Sequence, residues 1–160
     1  MTGAEPTVIT FDLFSALIDP RAGHVQYFNH GHVFPLIATR DGDGVITDVT
    51  SVTGDRNMDD EFGDDSSIEL DVRSGTTPLA PGSVLVCFTD GLIERARQGN
   101  RPFGARRLQQ ALLGAKVPSG VDGLVALRDR VIAKVDDYVE HAPLEDDITL
   151  VLCGVGATPS

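Results

Sequence analysis

The apolar residues of this chain change their spacing near Asp90, and that change constrains the fold more than any other feature. Before Asp90 they come in short runs rich in β-branched and aromatic side chains, which are typical of β-strands. After it they recur every three or four residues, the spacing of an amphipathic helix. A last apolar run, residues 148–155, returns to the strand pattern. Strands that are grouped first and helices that are grouped afterwards predict an α+β fold with an antiparallel sheet.

The strand-like runs predict up to six strands before the helices and one after them. Residues 19–23 form a turn by composition, so the first two runs are expected to pair as an antiparallel hairpin. The run at 83–88 is apolar at every position after Ser83 and is expected to be buried. The predicted strands are 7–18, 24–29, 33–39, 45–52, 68–72, 83–88 and 148–155.

Two main helices are predicted after one or two helical turns at 92–98. The first spans 103–115 and places Leu108, Ala111, Leu112 and Ala115 on one face. The second is expected to begin at a capping box and to be stopped by Pro143. The capping box would be formed by Ser119 and Asp122, and the apolar stripe of the helix by Leu124, Leu127, Val131, Val135 and Tyr138.

Bulk properties limit the class of protein. The 160 residues suit a single domain over 1–160, and the net charge of −11 disfavours a nucleic-acid partner. No apolar stretch approaches the roughly 20 residues of a membrane span, and the first ten residues do not form a signal peptide. A cytoplasmic protein without a membrane partner is therefore expected. Cys87 and Cys153 lie in apolar runs and are expected to be reduced core thiols, with a disulfide possible only between neighbouring strands.

Residues 53–67 are acidic and contain few apolar side chains. Because such a segment cannot bury enough surface to offset the entropy of ordering it, a mobile acidic loop is predicted there.

Carboxylates occupy the ends of two predicted core strands. Asp90 follows the strand at 83–88, whereas Asp146 and Asp147 precede the last strand. If these two strands are neighbours, the carboxylates converge at one edge of the sheet. Such a cluster of oxygen ligands suits a hard cation such as Mg²⁺ or Mn²⁺. The alternative is that these aspartates are ordinary turn residues.

Five segments resemble the motifs of one known family, in the same order and with similar spacing. They match an A-x-x-D-P…G hairpin, an NAGH turn continuing as PPL, a TDG(L/V)xE segment, an FGxxRL helix start and a DDITL segment. The corresponding residues are 16–20 with 23, 29–32 with 35 and 36, 89–94, 103–108 and 146–150. The chain thus resembles the PPM-type (type 2C-like) serine/threonine phosphatases, in the branch of the stage II sporulation protein E and the sigma-B regulatory phosphatases.

The resemblance implies a fold and a chemistry. The fold would be an antiparallel β-sandwich with helices on one outer face. In the family, two metal ions share a bridging water that attacks the phosphorus of a phosphoserine or phosphothreonine. Asp90 and Asp146 would be the catalytic metal ligands, and Mn²⁺ or Mg²⁺ the cofactor. The supporting residues would be Gly91, which would permit a tight turn after Asp90, together with Asp147, Asn29 and His32.

The sequence departs from the family pattern in two places. The family has a GDxxD motif and a helix that opens with GHG before the hairpin, but residues 1–10 contain no aspartate. We therefore expect the chain to lack the N-terminal part of the fold. Residues 53–77, where the family usually has a PLG turn, are expected to form a long acidic loop instead.

These departures leave two functions open. One is a metal-dependent phosphatase of bacterial signalling whose substrate is a phosphorylated regulatory protein, such as an anti-sigma-factor antagonist. The other is a non-catalytic regulatory module that binds such a partner. Because a sheet without its cover exposes apolar surface, a homodimer or a partner that supplies the missing N-terminal part is also expected.

Overall fold

The computed structural model describes residues 12–53, 72–97, 101–140, 142–143 and 146–156. Within these ranges, six strands precede three helices and a seventh strand follows them, which confirms the α+β class. The elements are β1 (Leu13–Asp19), β2 (His24–His30), β3 (Leu36–Arg40), β4 (Ile46–Ser51), β5 (Val72–Pro78), β6 (Val84–Phe88), α1 (Asp90–Glu94), α2 (Gly104–Leu112), α3 (Val121–Tyr138) and β7 (Leu150–Gly154).

The strands form two antiparallel sheets. The three-stranded sheet has the order β1-β2-β5, and the four-stranded sheet has the order β4-β3-β6-β7. The predicted hairpin of β1 and β2 is confirmed. Its turn is held by the Asp19 carboxylate, which accepts hydrogen bonds from the backbone N–H groups of Arg21 and Ala22, each over 2.9 Å. The Ala22 bond is the main reason that the pKa of Asp19 lies below its ordinary value.

The four-stranded sheet is covered on both faces. In β6, Val84, Val86 and Phe88 pack into a core shared with α2 and α3, whereas Leu85 packs into a second core shared with the other sheet. Alternate residues of β3 divide in the same way. A strand that is buried on both faces needs apolar side chains at every position, which explains the continuous run at 84–88.

The three-stranded sheet is covered on one face by the four-stranded sheet. Val25 and Tyr27 of β2 point into the core between the sheets. On the opposite face, Leu13, Leu17 and Phe28 are 44%, 67% and 41% exposed. The layers are therefore sheet, sheet and helices, and the outer side of the three-stranded sheet carries exposed apolar side chains among polar ones such as Ser15 and Gln26.

Strand β5 departs from the prediction. A strand was expected at 68–72 and an acidic loop through 77, but residues 72–78 form a strand that pairs along the length of β2. Its polar sequence gives no apolar alternation. Gly75 lets this strand pack closely against β2. A Cβ at position 75 would lie only 2.8 Å from the Tyr27 hydroxyl oxygen. Of the acidic loop predicted at 53–67, residues 54–67 lie outside the described residues.

The ends of the helices were predicted less accurately than their faces. The α3 stripe is confirmed, with Leu127, Val131 and Val135 buried. The capping box is wrong, because the residue before the helix is Gly120 and no side chain caps the N-terminus. Pro143 does not end the helix, which stops at Tyr138 before Glu140 adopts a left-handed backbone with φ of 52°. Helix α1 is also shorter and earlier than the turns predicted at 92–98.

The two cysteines lie on the neighbouring strands β6 and β7, yet both are free thiols. Cys87 is partly buried, and burial, with a smaller contribution from Cys153, raises its pKa to about 11. Cys153 is exposed, so the prediction of a core position is wrong for that residue. No helix in the described ranges is long and apolar enough to cross a membrane.

Candidate metal and phosphate site

The edge of the four-stranded sheet brings the predicted carboxylates to one place. Phe88, the last residue of β6, pairs with Leu150, the first residue of β7. The chain that leaves β6 and the chain that enters β7 therefore lie side by side. Asp90 opens α1 on the first of these segments, and Asp146 and Asp147 lie on the second. The two strands are therefore neighbours, as the convergence of the carboxylates required, and a Cβ at Gly91 would lie 3.7 Å from the Asp146 Cβ.

Thr89 joins the two segments beyond the end of the strand ladder. Its backbone N–H donates to the Thr149 carbonyl over 3.1 Å, and its Oγ1 accepts from the Thr149 N–H over 2.9 Å. The same hydroxyl donates to the Asp147 carbonyl over 3.3 Å. These bonds hold the backbone just before Asp90 and from Asp147 to Thr149, so the sheet fixes the backbone next to both carboxylates.

Gly91 is required by a close approach of two backbone segments. It lies buried in α1, and a Cβ at this position would come within 2.5 Å of the Asp147 carbonyl oxygen. The expectation that Gly91 permits a tight turn after Asp90 is wrong, since the helix already begins at Asp90. The absence of a side chain instead lets the Asp90 segment touch the Asp146–Asp147 segment.

The carboxylates of Asp90 and Asp146 are exposed and share one local geometry. The Asp90 Oδ1 accepts from the Gly91 N–H over 2.8 Å, and the Asp146 Oδ1 accepts from the Asp147 N–H over 2.7 Å. A carboxylate has two oxygens and about four lone pairs, so each group keeps acceptor capacity for a cation. Asp147 contacts the Asp90 segment through its main-chain carbonyl, which accepts a hydrogen bond from the Thr89 hydroxyl.

A cleft of about 150 Å³ adjoins Asp146. It separates the end of α1 from the segment before β7, and acidic, basic and small side chains line it. The lining residues are Gly91, Glu94, Arg95, Ala96, Pro143 and Asp146.

Asn29 and His32 form a separate turn at the end of β2. The buried Asn29 amide donates to the His32 carbonyl over 2.7 Å and accepts from the His32 N–H over 3.0 Å. The His32 Nδ1 lies 2.6 Å from the Val33 carbonyl, which can only accept, so Nδ1 carries the proton. These bonds fix the turn, and none of them reaches Asp90 or Asp146. The supporting roles of Asn29 and His32 stay predictions.

The donor set fits one hard divalent cation in part. Asp90 and Asp146 supply the oxygen ligands that Mg²⁺ and Mn²⁺ prefer. Across the described ranges, however, no group of three or more His, Cys, Asp or Glu residues is placed to hold a metal ion. If a cation bound at this edge, Asp90 and Asp146 could supply two of its ligands, and the others would have to be water or groups outside these ranges.

The pattern of the sequence did not identify Thr89 or Arg95 as important for this edge. Thr89 belongs to the quoted TDG segment, and Thr149 belongs to the DDITL segment, so the signal was present in the motifs. Arg95 lies one residue beyond its motif. Its partners, Asp136 and Ala142, are 41 and 47 residues away along the chain, which no local pattern reveals.

The family model of stage II sporulation protein E (SpoIIE) matches residues 3–156, nearly the whole chain. The chain belongs to the SpoIIE family. The resemblance that the five motifs indicated is thereby confirmed. No curated protein matches the sequence.

Solved structures show the same fold. The phosphatase domain of the cell fate determinant SpoIIE from Bacillus subtilis, in a Mn-presoaked structure, matches with a TM-score of 0.61 and 20% identity, over 93% of this chain and 59% of that chain. A second structure of that domain gives a TM-score of 0.60, with 20% identity over 93% and 60% of the two chains. The SiaA-PP2C domain of Pseudomonas aeruginosa gives 0.62, with 24% identity over 92% and 51%.

These likenesses establish the fold of a PP2C-type phosphatase domain, including the antiparallel sheets and the helices on one outer face. They also set its extent, because the chain spans between 51% and 60% of the lengths of the solved domains that it matches.

Proposed function

We propose that this chain is a phosphatase-type domain of bacterial signalling that acts on phosphoserine or phosphothreonine with the help of Mn²⁺ or Mg²⁺. The observation that carries the proposal is the convergence of Asp90 and Asp146 at an edge that Thr89 and Gly91 hold in place. Membership of the SpoIIE family and the fold of the neighbouring phosphatase domains support it. A divalent ion bound at this edge would activate water and offset the charge of a phosphoryl group.

The residues of the chain have distinct parts in this proposal. Asp90 and Asp146 hold the cation, and the hydrogen bonds of their Oδ1 atoms to the backbone keep both carboxylates in one orientation. Thr89 and Gly91 keep the two segments in contact. With a net charge of −11, the chain would otherwise repel a phosphorylated partner, so a bound cation also helps the substrate to approach.

The proposed substrate is a phosphorylated regulatory protein in the cytoplasm, such as an anti-sigma-factor antagonist. The five family motifs support this choice, because they resemble those of the regulatory branch.

A second candidate is a regulatory module without catalysis that binds the same kind of partner. One observation favours it: in the described part of the site, two carboxylates converge where a site for two metals needs more ligands. The exposed outer face of the three-stranded sheet provides a surface for a partner.

Hydrolysis of p-nitrophenyl phosphate and of a phosphoserine peptide, with and without millimolar Mn²⁺, separates the two functions. We expect turnover that depends on Mn²⁺ and is lost in Asp90→Asn and Asp146→Asn. Asp48→Asn on β4, an exposed aspartate on the far edge strand of the same sheet, is the matched control and should retain it. A folded protein that shows no turnover with Mn²⁺ would refute the phosphatase and leave the regulatory module.

We also propose that the outer face of the three-stranded sheet contacts another subunit, either a second copy or a partner that supplies the rest of the fold. The exposed side chains of Leu13, Leu17 and Phe28 support this contact. Sedimentation at micromolar concentration should show an associated species that Leu17→Lys with Phe28→Lys dissociates. A monodisperse wild-type monomer would exclude the second copy and leave the partner.

A further inference from the structure

Arg95 is an almost buried cation that joins three segments around the candidate site. Its side chain is 10% exposed, and its Nη1 lies 2.5 Å from the Asp136 Oδ1 of α3. Its Nη2 donates to the Ala142 carbonyl over 2.6 Å. Its own carbonyl accepts from the Phe103 N–H over 2.8 Å, at the start of α2. The guanidinium group therefore fixes the end of α1 to α3 and to the segment that follows α3.

The contacts of Arg95 lie close to Asp90 and Asp146, the two proposed cation ligands. Arg95 follows Asp90 by five residues, and Ala142 precedes Asp146 by four. Arg95 and Asp146 line the same cleft, together with Pro143. The contact between Arg95 and Ala142 thus lies on the N-terminal side of Asp146, and the contacts of Thr89 with Asp147 and Thr149 lie on its C-terminal side.

The strength of the contact follows from burial. A guanidinium presents its donors in a planar fork, and charge-assisted bonds of this kind are shorter and stronger than neutral ones. Removing the side chain would leave the Asp136 carboxylate, which is 37% exposed, without its cation and the partly buried Ala142 carbonyl without this donor. The loss at the carbonyl costs free energy because a partly buried polar group is left unsatisfied. Because α1 is only five residues long, few other contacts can replace these bonds.

We propose that Arg95 is a positioning residue that sets the distance between Asp146 and Asp90 and thereby the affinity of the edge for a divalent cation. The cation part of this inference rests on the proposed function. Arg95 itself touches neither the cation nor the substrate, and it acts through the backbone of the segment that carries Asp146.

Arg97 provides a matched control. It lies two residues further along, carries the same charge, and pairs with Glu140, which is also near the end of α3. Its side chain is 52% exposed and that of Glu140 is 60% exposed, so solvent screens the pair and its contribution is small. A change at Arg97 alters the net charge near the site by the same amount as a change at Arg95, without releasing the Asp146 segment.

The experiment measures two quantities in the full chain: Mn²⁺ affinity by calorimetry, and hydrogen exchange of the Thr149 amide without metal. We expect Arg95→Ala to weaken Mn²⁺ binding about 10- to 100-fold, the usual effect of losing a residue that orients a ligand. The Thr149 amide should exchange faster. Arg95→Lys, which keeps the charge but not the fork, should recover part of the affinity. Arg97→Ala should behave as wild type in both measurements.

Asp136→Asn is the second variant, because it weakens the same contact while Arg95 stays in place, and it serves if Arg95→Ala fails to fold. Faster exchange in these variants with unchanged Mn²⁺ affinity would make Arg95 a stabilising residue only and overturn the proposal. Unchanged exchange would overturn it as well. If the wild type itself binds no Mn²⁺, the proposed function fails, whereas the exchange of Thr149 still decides whether Arg95 positions the Asp146 segment.

Discussion

The two sheets of the chain differ in what covers them. The four-stranded sheet has the helices on one face and the other sheet on its opposite face, and every residue of β6 except Cys87 is buried. The three-stranded sheet has one covered face and one face on which Leu13, Leu17 and Phe28 are exposed. The candidate site lies at the edge of the first sheet, where β6 ends and β7 begins.

The proposed cation site and the proposed subunit contact both depend on this difference. A site that orients carboxylates needs a backbone that does not move, and burial on both faces of the sheet provides it. A surface that binds another subunit needs exposed apolar side chains, which the outer face of the other sheet provides. The next predictions test this division, from the largest expected effect to the smallest.

Two phenylalanines, one in each sheet, allow the effect of this difference in burial on stability to be tested. Phe88 in β6 is 1% exposed, whereas Phe28 in β2 is 41% exposed. Phe88→Ala should lower the free energy of unfolding by about 3–5 kcal/mol, the usual cost of removing a buried aromatic ring. Phe28→Ala should cost about 1 kcal/mol or less, because part of that ring already contacts water. Urea denaturation of both variants gives the comparison, and equal losses would contradict it.

Two glycines test the close packing at the site. Gly91→Ala places a Cβ 2.5 Å from the Asp147 carbonyl oxygen, whereas a Cβ at Gly42 meets no atom within 4 Å. Overpacking of this kind should destabilise the protein by about 1–3 kcal/mol. Gly42→Ala, in an exposed turn, should leave stability almost unchanged. Thermal unfolding measures both, and an unaffected Gly91→Ala would show that the two segments can separate freely.

The hydroxyl group of Thr89 should contribute a smaller amount. Thr89→Val keeps the shape of the side chain but removes the hydroxyl bonds to the Thr149 N–H and the Asp147 carbonyl. It should lower the free energy of unfolding by about 0.5–1.5 kcal/mol. Thr89→Ser keeps the hydroxyl and should cost less. Chemical denaturation distinguishes the two variants, and equal values for Val and Ser would indicate that the hydroxyl bonds add no net stability.

The two thiols should differ in reactivity with little effect on stability. The raised pKa of Cys87, about 11, keeps its thiol protonated at neutral pH, so iodoacetamide should modify the exposed Cys153 much faster. Because the folded pKa of Cys87 exceeds the ordinary value of 9.0, its stabilising contribution is present below pH 9 and is lost as the pH rises through about 11. Mass spectrometry of partially alkylated protein measures the order of modification.

Local patterns predicted much of the fold. The runs at 24–29, 45–52 and 83–88 correspond closely to β2, β4 and β6, because apolar and β-branched residues in such runs have few other stable arrangements. The buried face of α3 followed its helical spacing for the same reason. Helix ends were harder to predict, since Gly120 and Glu140 determine them through backbone conformations that the sequence does not specify.

The sequence by itself determined the order of strands and helices, the buried faces of α2 and α3, and the position of Asp90 and Asp146 at strand ends. These features depend on residues near one another in the chain. Only the tertiary structure decided that β5 pairs with β2, that Gly91 must lack a side chain, and that Arg95 joins α1 to Asp136 and Ala142. Each of these depends on contacts between residues far apart in the chain, and no periodicity in the sequence encodes such contacts.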